Sequence, residues 1–190
     1  MAFGIFEFCK KDSISVNVQW IPREENEKAD YLSKLIDYDD WGVSDDFFEY
    51  IDSIWGPHTV DRFANANNKK ICRFNSVFWN PGSEAVDCFT QDWKDENNWL
   101  VPPIYLVLKT IKHLVSCKAV GTLVVPKWES APFWPYVFID NTKTFDYVVD
   151  MLEFRDGESI YVLGMNKNSL FGSEHFYSSV LAIRLDATQM

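Results

Sequence analysis

Four groups of residues carry side chains that chemistry can use. Asp30 ends the run Asn26-Glu-Lys-Ala29-Asp30. Asp61 opens Asp61-Arg-Phe-Ala64 and is followed by Asn68. Pro102-Pro103 lies between Val101 and Ile104, with Tyr105 just beyond, and Lys109, Lys112, His113 and Lys118 form a small basic cluster. Each group also has a plain structural reading. An Asp in the first turn of a helix is favoured by the helix dipole, and a lone carboxylate cannot hold a pair of divalent ions, which needs several oxygen ligands. Asp61 and Asn68 suit turns and strand ends as well as a ligand. A proline pair stops a strand and opens a helix, and the basic cluster reads as a phosphate contact or as an ordinary solvated face.

Other chemistries lack their residues. His58, His113 and His175 are far apart and no G-x-S-x-G elbow accompanies them, which argues against a hydrolase triad. No Walker A loop is present, and no two glycines sit two apart, so the Gly-x-Gly loop of many nucleoside cofactors is missing too. Cys9, Cys72, Cys88 and Cys117 include no C-x-x-C pair and no His at ligand spacing. They read as buried thiols in a reducing compartment rather than as a zinc site.

Composition narrows the partners. A formal net charge of -10 argues against a free-standing nucleic-acid binder, because Lys and Arg supply most non-specific affinity; the same surplus keeps a protein soluble. With 47% hydrophobic residues, 8 Trp and 15 Phe, the chain reads as a packed globular protein rather than a disordered one. Trp79, Trp93, Trp99, Trp128 and Trp134 are either core anchors or the walls of a base-stacking groove. No segment approaches the roughly 18 apolar residues of a membrane span, and the start of the sequence has no signal-peptide pattern. The expected setting is intracellular, in cytoplasm or nucleus, with no membrane partner.

These groups must be held by regular elements. Phe3, Ile5, Phe6 and Phe8 have helical spacing; Ile14, Val16, Val18 and Trp20 alternate as in a half-buried strand; Glu25 to Ile36 returns to helical spacing. The acidic stretch Asp37 to Trp41 marks a boundary, giving domains 1–37 and 44–190. Ser44 is a candidate N-cap for a helix over Asp45 to Ile54, which Gly56-Pro57 ends. Strands are predicted at Thr59 to Phe63, Trp99 to Val101 and Gly121 to Val125, with a helix over Ile104 to Cys117. Strand, proline pair, helix and buried strand form a βαβ unit, hence a parallel sheet centre. Ser159 to Leu163 and Ser179 to Leu185 read as strands of an antiparallel edge.

Two stretches resemble known families. Trp20-Ile-Pro-Arg-Glu-Glu-Asn26-Glu-Lys-Ala29-Asp30, followed by Leu32, is similar to the end of ribonuclease H domains in retroelement reverse transcriptases. The resemblance implies that Asp30 is one of four carboxylates holding two magnesium ions, with Asn26 bracing the loop. The other three acids belong to earlier elements of that fold, so Mg2+ is expected only with a complete domain.

Further on, Trp55-Gly-Pro, Asp61-Arg-Phe-Ala64 with Asn68, Asp87, Trp93, Pro102-Pro103 and Val124-Val125-Pro126 occur in an order that resembles phage-type DNA adenine methyltransferases, as found after ribonuclease H in DIRS-type, tyrosine-recombinase retrotransposons. The implied fold is α/β, a Rossmann-like, mostly parallel sheet with an antiparallel C-terminal edge. By the same resemblance Asp61 and Asn68 are vestigial contacts to S-adenosylmethionine, and Pro102, Pro103 and Tyr105 are vestigial contacts to the substrate base. Active relatives carry Asn or Asp before the prolines and an aromatic ring after them, gripping and stacking a flipped base. Here those positions hold Val101 and Ile104.

The resulting expectation is a catalytically inactive, methyltransferase-like module on a ribonuclease H tail, with nucleic acid as a partner through the parent polyprotein and no cofactor for the fragment. Two alternatives stand beside it: an active S-adenosylmethionine-dependent adenine methyltransferase, and an interaction domain that docks a polymerase or a second copy of itself.

Overall fold

The computed structural model describes Ser15, Asn17, Pro22, residues 41–140, 143–155, Gly157, 159–162 and 178–190. The chain divides into two compact units, Met1–Ile36 and Asp37–Met190. Asp30, Asn26 and the elements expected around them lie outside the described residues. The described secondary structure belongs to the second unit.

Its elements in chain order are β1 (Gly42–Val43), α1 (Asp45–Trp55), β2 (Val60–Asp61), β3 (Asn75–Ser76), β4 (Ala85–Val86), β5 (Asn97–Leu100), α2 (Val107–Ser116), β6 (Val120–Pro126), β7 (Val148–Phe154), β8 (Tyr161–Val162) and β9 (Val180–Asp186). Ser44 caps α1 through its side chain, which accepts from the Phe47 amide, and Gly56 closes the far end. The helix expected from Ile104 begins instead as a 3-10 turn over Ile104–Leu106 and becomes α-helical at Val107. No side chain caps that end; the turn directs the Leu106 amide to the Pro103 carbonyl at 2.8 Å.

A five-stranded sheet runs in the order β2-β5-β6-β9-β7. β2, β5 and β6 are parallel, whereas β9 is antiparallel to both of its neighbours. β3 and β4 pair parallel beside β2, to which they are joined by a parallel bridge between Asp61 and Phe74 and by hydrogen bonds from Asp61 N to Arg73 O and from Ala64 N to Asn75 O. From β2 the chain therefore moves outward through β3 to β4, then returns to β5 on the opposite flank of β2. The direction of strand succession reverses between β2 and β5. The parallel centre matches the sequence reading.

The sheet as a whole is mixed rather than mostly parallel, and its antiparallel edge is built from other strands than expected. β9 lies inside the sheet between β6 and β7, and β8 pairs with β1 in a separate ribbon. The edge strand is β7, which the pattern concealed: Asp150 and Glu153 interrupt its apolar alternation, and its register with β9 shifts between Val148 and Asp150. The physical reason β9 is internal lies in its own sequence. Val180, Leu181, Ala182, Ile183 and Leu185 are all buried, so both of its faces need cover.

Side chains leave the strands alternately to two faces. Leu100, Leu123, Val125, Leu181, Ile183 and Leu185 join the core that contains Val107, Ile111 and Leu114 of α2. Trp99, Val101, Val124, Val180 and Ala182 join the core that contains Phe47 and Ile51 of α1. The helices thus cover opposite faces of one sheet, and burial of apolar surface at roughly 25 cal/mol per Å2 holds both layers. Of the tryptophans, Trp93 and Trp99 are fully buried anchors, while Trp79 is 68% exposed.

Gly121 shows how tightly β5 and β6 approach. A Cβ placed there would meet the Asn98 carbonyl oxygen at 2.8 Å, whereas one at Gly42 meets nothing nearer than 4.0 Å. Gly121→Ala is expected to cost about 1–3 kcal/mol in urea unfolding, with Gly42→Ala close to neutral. Equal effects at the two positions would contradict this packing.

Candidate functional site at the carboxyl ends of β2 and β5

In open α/β sheets, ligands settle outside the carboxyl ends of parallel strands where strand succession reverses, because the loops there diverge and leave a crevice. Here that place lies between β2 and β5. Asp61 ends β2, and Val101-Pro102-Pro103 follows β5 directly. Val60 pairs with Asn98 and Asp61 with Trp99, so the two ends are neighbours. The structure thus brings Asp61 and the proline pair to one edge of the sheet.

What these residues do there is local. Asp61 is 3% exposed, and its carboxylate accepts from Phe63 N at 3.4 Å and Lys70 N at 3.0 Å, folding the loop after β2 back on itself. Asn68 shapes the same loop: its side-chain oxygen accepts from Asn65 N at 2.7 Å, and Asn65 returns the bond to Asn68 N at 3.2 Å. Asn80 accepts from Ala66 N at 3.0 Å.

Val101 continues the face of Trp99, two residues earlier, and is buried against α1 with Trp41 and Trp99. Its side chain belongs to the core layer. The Pro102 carbonyl accepts from the Trp41 indole at 3.1 Å in a buried contact, and the Pro103 carbonyl accepts from Leu106 N. Tyr105, in the 3-10 turn, is 66% exposed.

Beneath the loops lies a polar cluster that residue spacing did not reveal. Arg62 is buried; its Nε donates to Asn98 Oδ1 at 2.7 Å and its Nη1 to Asn75 Oδ1 at 2.8 Å, with the guanidinium 5.5 Å from the centre of the Trp93 ring. Burial pulls its pKa down, opposed by the charges of Glu96 and Glu84; an arginine stays cationic all the same. Asn98 in turn donates to the carbonyls of Trp93, Glu96 and Val120. Three segments, β2, β3 and β5, are thereby tied through amide side chains. Asn75 and Asn98 stand among other polar residues, Arg73 and Ser76 in one case and Asp95, Glu96 and Asn97 in the other, so nothing in the sequence marked them.

The remaining candidates are dispersed. Lys109 Nζ lies 3.8 Å from the centre of the Phe89 ring and Lys112 Nζ 4.9 Å from that of Tyr136, so the basic cluster is a helix face whose cations rest on aromatic rings. His113, one turn after Lys109, packs edge-on to the same Phe89 ring, with Nε2 3.0 Å from the Gln91 carbonyl. Burial pushes the Cys88 thiol up to about 12, leaving it inert at neutral pH. Cys72 is exposed and Cys117 half-buried, contrary to the expectation of uniformly buried thiols, since each follows the surface of its own turn. Cys9 lies outside the described residues. Among the described residues no group of three His, Cys, Asp or Glu side chains is placed to hold a metal ion, and no helix is long and apolar enough to cross a membrane.

A scan against protein-family models gave no match, and neither did a search of curated proteins.

Truncating Asn98 would strip Arg62 of a partner in a layer with little access to water. Asn98→Ala is expected to lower stability by about 2–4 kcal/mol in chemical denaturation. A loss below about 1 kcal/mol would show that the guanidinium does not depend on this amide.

Proposed function

We propose that the chain is a retroelement-derived module: a methyltransferase-like domain without transfer activity, attached to the tail of a ribonuclease H domain and working in a nucleic-acid-associated setting through its parent polyprotein. The observation that carries this reading is the coincidence of topology and loop. β2, β5 and β6 run parallel in that order, and the β3-β4 pair is bridged to the other flank of β2, so strand succession reverses between β2 and β5 as it does at the ligand crevice of an open α/β sheet. The Pro102-Pro103 loop falls at the carboxyl end of the strand beside the reversal, where the resemblance requires its counterpart. Polymerase domains of the same polyprotein are the natural neighbours, and Mg2+ chemistry would require the complete ribonuclease H fold.

The reading of inactivity rests on what the cleft residues already hold. Methyl transfer to an exocyclic amine needs an acceptor to aim the nitrogen and a ring to stack the base. Val101 supplies no acceptor and faces α1, and Ile104 supplies no ring. The nearby carbonyls of Pro102 and Pro103 are engaged by Trp41 and Leu106. Losing one positioned hydrogen bond costs on the order of 3 kcal/mol, or about a hundredfold in rate, and losing a stacking partner about 1–3 kcal/mol more.

The residues also fit S-adenosylmethionine poorly. Asp61, the candidate acid, is buried and spends its carboxylate on the Phe63 and Lys70 amides. Titration calorimetry of the full chain with S-adenosylmethionine is therefore expected to show no binding heat. Micromolar binding that Asp61→Ala abolishes would overturn the inactive reading in favour of an active methyltransferase.

A further inference from the structure

Acidic residues number 28 in the 190, yet from Asn97 to Trp128 the chain carries none, while it carries Lys109, Lys112, Lys118 and Lys127. α2 occupies the middle of this stretch, so the helix adds no negative charge of its own. Val107, Ile111 and Leu114 turn into the core, and Lys109 and Lys112 are exposed. Tyr105, 66% exposed in the 3-10 turn, stands with them at the i, i+4, i+7 spacing that places side chains along one flank of a helix.

Charge on this flank is not neutralised from within. Elsewhere cations meet carboxylates: Lys70 meets Asp45 at 2.5 Å, Arg73 meets Glu84 and Glu96 at 2.9 Å, and Lys127 meets Glu153 at 2.9 Å. Among the described residues Lys109 and Lys112 have no such partner. Each rests on a ring instead, Phe89 under Lys109 and Tyr136 under Lys112. A ring steadies an ammonium group from one side and leaves N–H donors for an anion on the other.

We propose that this flank of α2 docks a single strand of nucleic acid, with phosphates on Lys109 and Lys112 and a base stacked on Tyr105. The occupant follows from charge and shape together. In a chain of net charge -10 the flank is cationic, which suits a polyanion, and the exposed ring one turn away offers a flat contact that bases match and acidic peptides do not. Only unpaired bases present that face, so the strand is open rather than duplex. Phosphate contacts carry no sequence information, and binding has no sequence preference.

One acid stands beside the flank. The charges of Asp87 and Lys109 act with opposite sign on the Cys88 thiol, and Asp87 is exposed, so its carboxylate opposes an approaching phosphate. The contact is direct, whereas the proposed function reaches nucleic acid only through the parent polyprotein, and it involves no S-adenosylmethionine. Its failure would leave the calorimetric test of that function undisturbed.

The test is fluorescence anisotropy of a short labelled oligothymidylate titrated with the full chain at several salt concentrations. At low salt a Kd of about 100 μM or tighter is expected, and log affinity should fall against log salt with a slope of about -1.4, as for two phosphate contacts on a single strand. Replacing both lysines, Lys109→Gln with Lys112→Gln, should bring the slope close to zero. Tyr105→Ser should weaken binding about tenfold and keep the slope. Asp87→Asn keeps an oxygen for the Phe89 amide, which the carboxylate now receives at 3.1 Å, and should tighten binding about twofold or more. Absence of binding at low salt, an unchanged slope in the lysine variant, or equal affinity for a duplex of the same length would overturn the proposal. So would displacement of the strand by polyglutamate at equal charge, which would point to an acidic protein as the occupant.

Discussion

A sheet kept dry on both faces is the constraint from which the rest of the second unit follows. β6 and β9 pair over seven residues, from Val120–Asp186 to Pro126–Val180, and send Leu123, Val125, Leu181, Ile183 and Leu185 to one helix and Val124, Val180 and Ala182 to the other. Such strands are stable only when covered twice, which places α1 and α2 on opposite sides and puts β7 outside β9. A polar side chain inside either layer must then be satisfied by another one. His58 and Thr122 do this beneath α1, and Arg62, Asn75 and Asn98 do it beside α2.

The same economy shapes the cleft. Side chains that a ligand would need at the carboxyl ends of β2 and β5 are committed to the protein itself: Asp61 to its own loop, the Pro102 carbonyl to Trp41, Val101 to the layer under α1. A doubly wound sheet offers a crevice at this place whatever its sequence; its chemistry comes from the residues on the loops. An α/β frame with a crevice at this place and a lack of groups for methyl transfer are therefore compatible, as the proposed inactive module requires.

Legibility in the sequence tracked how local the governing interaction is. Ser44, the apolar face of α1, Gly56-Pro57 and the continuous apolar run of β6 are decided within a few residues, and each was readable. The βαβ unit around Pro102-Pro103 followed from them. β7 was hidden because its pairing depends on β9, about thirty residues away, and its Asp150 and Glu153 break the period. The internal place of β9 needed knowledge of which strands required cover on both faces. At the candidate site, Asp61 and the proline pair could be singled out by type and order, but their hydrogen bonds could not. The Arg62 cluster and the polar contacts that join His58, Thr122, Arg184 and Asn97 link residues up to 87 positions apart, with no spacing to betray them.

The central claim, that the cleft has the frame of a methyltransferase without its chemistry, is tested most directly by incubating the chain with methyl-labelled S-adenosylmethionine and adenine-containing DNA and measuring label on the DNA. The account predicts incorporation no greater than in a sample lacking protein. Incorporation that rises with protein concentration and disappears in Asp61→Ala would contradict it.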